Sequence, residues 1–225
     1  MLDKLNNLKN LKDVITNTAS HMTFDPSRFD DPLATSIRWT PIKSGGSNFR
    51  THKYYNQGAN QAGFKATLGA KVFSGIFMVV GLGISTGVPY RIYLSGDPLI
   101  AVETLVIILF GLIFFGAGLF MFRSYSKPVI FDKMVGYFWK GWKKPERYKS
   151  NQTVKGSIKI SDIHALQLVS EYIRGDKKNY YSYELNIVTR DGQRYNVIDH
   201  GDRSDMHADA NKLSDFLGVP VWDAT

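Results

Sequence analysis

The densest set of ionisable side chains in this 225-residue chain is DHGDRSDMHADA, residues 199–210. Asp199, His200, Asp202, Asp205, His207 and Asp209 offer the oxygen and nitrogen donors that hold divalent metals. Their spacing follows neither HExxH nor an EF-hand loop. It suits the start of a helix better: Asp202, Ser204 or Asp205 serves as the cap, and the early acids complement the helix dipole. Asp205 and Asp209 then share a face at i,i+4, while His207 points elsewhere. His164 and His200, beside Asp162 or Asp199, are the candidates for acid–base work. No nucleophile elbow, Walker loop or dinucleotide fingerprint accompanies them. The glycine-rich turn SGGSN at 44–48 opens no helix, so it does not read as a phosphate cradle. The chain has no cysteine, which removes disulfides, thiolate metal sites and cysteine nucleophiles. No catalytic residue, metal or cofactor is assigned, and a metal-dependent enzyme is the least favoured reading.

A second cluster, YFWKGWKKPERYK at 137–149, interleaves aromatic and basic residues. Trp139, Lys140, Trp142, Lys143, Lys144 and Arg147 are the expected contact surface for anionic lipid or a protein partner. Each basic residue close to an anionic membrane contributes roughly 1 kcal/mol.

The elements that would position these groups start with two apolar runs, residues 72–89 and 98–122. At 1.5 Å per residue they reach roughly 27 and 37 Å, against a hydrocarbon core of about 30 Å. Both are long enough to span a bilayer. Of Lys and Arg, the link between them carries Arg91 alone. Arg50, Lys53, Lys65 and Lys71 precede the first run, and Arg123, Lys127, Lys133, Lys140, Lys143, Lys144, Arg147 and Lys149 follow the second. Positive flanks stay cytoplasmic, so the expected topology is a transmembrane hairpin (residues 70–123) with both termini in the cytosol. This topology accounts for the net charge of +8, and no nucleic-acid partner is expected. Small residues punctuate both runs. Gly83 and Gly87 form a GxxxG, and Thr104, Gly111 and Gly118 recur every seven residues, as helix-packing positions within the hairpin or between copies. Glu103, the one ionisable residue within a run, lies near the outer end and suits the headgroup region.

Outside the runs, residues 1–20 read as an amphipathic helix with Leu2, Leu5, Leu8 and Leu11 on one face, followed by a linker at 21–35. Residues 36–69 read as β-strands (SIRWTPI, FRTHKYYNQ, AGFKATLG), too few to bury a core alone. Residues 128–223 supply further strands: PVIFD, GYFWKG, SIKISDI, ALQLVSEYI, YYSYELNIVTR and QRYNVI, the last two flanking an Asp191–Gly192 turn. A helix at about 204–217 closes the series, with Met206, Ala210, Leu213 and Leu217 as its apolar stripe and Gly218 with Pro220 as its stop. Meandering antiparallel strands followed by one helix fit a pleckstrin-homology-like barrel.

The stretches FDKMVGYFWKG, ISDIHALQLVSEY, YSYELNIVTRDG, NVIDHGD, FLGVPVWD and WTPIKSGGSNFRTHK resemble uncharacterised bacterial two-span inner-membrane proteins with a pleckstrin-homology-like domain. The resemblance covers nearly all of the chain from about residue 36. It implies an α+β membrane protein of the bacterial inner membrane that acts as a binding or scaffold module. The hairpin would then interrupt one split β-domain. A small accessory subunit of a transporter or channel, or a homo-oligomer assembled through the glycines, is the alternative.

Overall fold

The computed structural model describes residues 24–96, 102–145, 156–175 and 178–225. The expected N-terminal helix at 1–20 and Arg147 lie outside these residues. The molecule is α+β, with one antiparallel sheet, a second that is antiparallel apart from its last strand, two long apolar helices and a helix near the C-terminus.

The first sheet holds β1 (His52–Asn56), β2 (Gln61–Ala66), β3 (Val129–Asp132), β4 (Tyr137–Lys140) and β5 (Ser157–Lys159), in chain order across the sheet. β2 pairs with β3 in the register Phe64↔Val129 and Ala62↔Phe131, although more than sixty residues separate them. The second sheet holds β6 (Ile163–Ile173), β7 (Tyr180–Thr189) and β8 (Arg194–His200), with β9 (Val221–Ala224) added parallel to β6. The β7–β8 turn contains Gly192 at φ 79°, where a side chain would be strained.

The inner faces of the two sheets pack on each other and on helix α4 (Arg203–Leu217). Phe64, Phe131 and Phe138 meet Leu166, Leu168, Leu185 and Ile187, and Met206, Ala210 and Leu213 close the core from the helix. Asp202 caps α4 by accepting from the Asp205 backbone N–H at 2.9 Å, and Gly218 ends it in the left-handed region.

Between β2 and β3 the chain leaves the sheet as two helices, α2 (Leu68–Leu94) and α3 (Val102–Tyr125). α1 is a single short turn at Pro32–Ser36. Both long helices have the length and apolarity needed to cross a membrane, and only 11% of each apolar window is buried. They run antiparallel in contact. A Cβ on Gly118 would sit 2.7 Å from the Met78 backbone, and one on Gly111 would sit 2.6 Å from that of Ser85. Thr104, Gly111 and Gly118 thus form the packing stripe of α3. Gly83 and Gly87 do not face α3, because a Cβ on either meets open space; Gly81 and Ser85 take that role on α2. The helix turns in π geometry at Gly83–Gly87. Pro89 follows, which cannot donate to the Ser85 carbonyl and would crowd it, so a widened turn relieves the clash.

SIRWTPI is not a strand. Residues 24–50 instead form a strap across the outer face of the second sheet. Phe24, Phe29 and Trp39 cluster there with Trp222 of β9, and the Trp39 indole N–H donates to the Ala34 carbonyl at 2.8 Å. Between Arg38 and Lys43 the strap runs outside any strand, and polar side chains of the sheet serve its backbone. Both carboxylate oxygens of Glu184 accept backbone N–H bonds, from Ile42 and Lys43, at 2.8 Å each. Gln167 donates to the Arg38 carbonyl and Arg194 to that of Thr40. Gly46 lies against Ser182 so closely that a Cβ would collide with that side chain.

Candidate functional site

The acid-rich run before and within α4 resolves into structural contacts. Arg50 reaches Asp205 at 2.8 Å and Asp209 at 2.7 Å, and Asp209 also accepts the Tyr54 backbone N–H. His207 bonds Thr225 at 2.7 Å and lies 3.3 Å from Asp223. His164 bonds Asp31, the cap of α1, so it staples the strap to β6 and pairs with neither Asp162 nor Asp199. This bond, from His164, holds the Asp31 carboxyl below its usual range. His200 is fully buried; its Nδ1 accepts from the Asp202 backbone, and burial pushes its pKa down. Among the described residues no three His, Asp or Glu side chains converge to hold a metal ion.

The basic aromatic segment splits three ways. Trp139 is buried at 4% exposure and cannot serve as a surface contact. Trp142 is 69% exposed, beside the exposed Lys143 and Lys144, and Lys144 lies 3.9 Å from Asp132. Lys140, at the end of β4, alternates with Trp139 and so points the other way, toward the end of the space between the sheets.

There it lines a cavity of about 380 Å³ where the β-domain meets the foot of α3. Lys43, Gly46 and Ser47 come from the strap, Thr51 and His52 from the start of β1, Ser124, Tyr125 and Lys127 from the end of α3 and the loop after it, and Asn196 and Asp199 from β8. The Lys140 ammonium donates to Asn196 Oδ1 at 2.9 Å. Burial pushes its pKa down to about 8; Asp199 opposes the shift, and Lys43 and Lys127 reinforce it. His52 is pushed down to about 4, again mainly by burial, and is therefore neutral at pH 7. Lys43 lies 3.4 Å from Asp199, the one ion pair in the cavity among the described residues. The Nδ2 of Asn196 is buried and has no partner among the described residues.

The cavity is thus a cationic, hydroxyl-bearing concavity suited to holding an anion, and in its wall the Thr51 hydroxyl lies 2.8 Å from His52 Nδ1. Lys140 was legible as a contact residue. Lys43, Lys127 and Asn196 were not, because each reaches the cavity from a different element. No family model, curated protein or solved structure matches this chain.

Proposed function

We propose that this chain is a two-span inner-membrane protein that holds a β-domain against the cytoplasmic leaflet as a binding module for anionic lipid. The observation that carries this reading is the placement of apolar and basic surface. The exposed large apolar side chains gather on α2 and α3, from Leu68 to Leu94 and from Val102 to Phe122. A soluble protein rarely exposes a contiguous apolar patch beyond a few hundred Å². At one end of the helix pair stand Lys43, Lys127 and Lys140, with the exposed Lys143 and Lys144 close by in sequence; at the other stand Tyr90, Tyr93 and Arg91. Lysine concentrated on one side of the helix pair is the expected signature of a cytoplasmic β-domain, while tyrosine suits either interface.

The two sheets closed by α4 fit a pleckstrin-homology-like arrangement, to which β9 is an addition. The resemblance to bacterial two-span proteins fits the same reading. An accessory subunit that packs on another membrane helix is the second reading, favoured by Gly83 and Gly87, which lie on a face of α2 that α3 leaves open.

The cysteine-free chain makes the test direct. A single cysteine at Ser95 should react with an impermeant maleimide added outside intact cells, and one at Lys143 should react only after lysis. Anionic lipids should be enriched around the chain extracted in polymer discs, and less so after Lys143→Glu with Lys144→Glu. Labelling of both sites from outside, or unchanged lipid in the charge-reversed chain, would reject the proposal.

A further inference from the structure

We infer that the cavity between Lys140 and the foot of α3 binds a phosphate monoester, carried by an acidic lipid headgroup or by a soluble phosphate. The inference rests on the membrane reading for the position of the cavity at headgroup depth, and on the residues themselves for its chemistry.

Charge is the first argument. Three lysines and one aspartate line the cavity, and His52 is neutral at pH 7. Asp199 makes its ion-pair contact with Lys43, which leaves Lys127 and Lys140 without a carboxylate at ion-pair distance among the described residues. Two unmatched cations suit a phosphate monoester, which carries about −1.5 to −2 at neutral pH, better than a diester with a single charge.

Burial is the second. Lysine is seldom taken out of water without a counter-ion. Arg194, half-buried like Lys140, shows what a purely structural cation looks like here: Gln167 and the Thr40 carbonyl both accept from its guanidinium. Lys140 has one neutral acceptor, Asn196 Oδ1. The amide's own Nδ2 lacks a partner. Lys140 and Asn196 thus leave donors in place for an oxyanion that the protein itself does not supply.

Shape and access are the third. About 380 Å³ falls within the range of small-molecule sites and leaves room for an ester group beside the phosphate. Ser47 and Ser124 add hydroxyls to the wall. Ser124, Tyr125 and Lys127 bring the cavity to the end of an apolar helix, the level at which a headgroup lies.

The test uses the full chain in nanodiscs of phosphatidylcholine with a minor fraction of phosphatidic acid, a monoester, or phosphatidylglycerol, a diester. Retained lipid is read by native mass spectrometry, and inorganic phosphate is titrated as competitor. Phosphatidic acid should be retained about tenfold over phosphatidylglycerol, a difference near 1.4 kcal/mol. Lys140→Met and Lys127→Gln should each abolish that preference, and Lys159→Gln, at an exposed site on β5, should not. Lys127 is exposed, so its variant keeps the test intact if Lys140→Met fails to fold. Phosphate that competes, or that binds alone with the same dependence on Lys127, supports the monoester chemistry and identifies a soluble source in the latter case. Equal retention of both acidic lipids, with no effect of either variant and no phosphate binding, overturns the inference. Cysteine labelling that shows no insertion rejects the membrane reading, while the phosphate titration still decides the cavity.

Discussion

Lys140 is a residue whose cost and use can be measured separately. Its pKa falls from 10.5 in the unfolded chain to about 8 in the fold. A folded value below the unfolded one means that stability is highest above pH 10.5, where both states are neutral, and is lost as pH falls through 8. At pH 7 the full penalty stands, about 3 kcal/mol, partly offset by roughly 1 kcal/mol from the bond to Asn196. Lys140→Met should therefore raise stability by about 2 kcal/mol at pH 7, and the gain should vanish toward pH 10.5. Denaturant midpoints of the two chains at pH 7 and pH 10 provide the check. A variant that is less stable at pH 7 would make Lys140 part of the scaffold. Glu184 behaves in the opposite way: it is 3% exposed, yet its oxygens accept from Ile42, Lys43 and Asn186, so the protein itself meets its burial.

The contact between α2 and α3 sets which glycines tolerate a side chain. Gly81→Ile and Gly111→Ile drive a branched chain into facing backbone and should lower the thermal midpoint in detergent, at a cost of about 1–3 kcal/mol each. Gly83→Ile and Gly87→Ile enter open space and should leave that midpoint unchanged. The GxxxG spacing did not separate packing within the hairpin from packing between copies, since a spacing names a stripe but not the face that meets a neighbour; within the hairpin Gly81 and Ser85 face α3 instead. Where burial on one face decided the structure, the sequence was clear. Leu185 and Ile187 alternate inward, Asp191–Gly192 turns the hairpin, and α4 stops at Gly218. Ser182, Glu184 and Asn186 on the other face of β7 are polar, yet each is at most 3% exposed. The strap that covers them has no periodicity, because its backbone bonds to side chains about 140 positions away. The cavity stayed hidden for the same reason, with walls drawn from four separate stretches.

At the scale of the molecule, the first sheet is a five-strand meander whose second turn has been replaced by a pair of long helices. Thr67 alone links β2 to α2; it caps the helix through Ala70 and donates to the Arg50 carbonyl. Ser126, Lys127 and Pro128 link α3 to β3. With both feet of the helix pair fixed in neighbouring strands, a cut near Gly96 should not release either half. A chain divided there and co-expressed should co-purify through one tagged half, since β2–β3, α2–α3 and the strap all join the pieces. Loss of the untagged half would mean that covalent continuity holds these elements together. The insertion also orders events during synthesis. β1 and β2 emerge first and have no sheet to complete until β3 follows the second helix, so their closure waits on a contact of high sequence separation. A helix pair that fails to settle in the bilayer would hold β2 and β3 apart and leave unpaired strand edges in view of proteases and chaperones. Under the proposed topology, completion of the β-domain would thereby report on insertion of the helix pair.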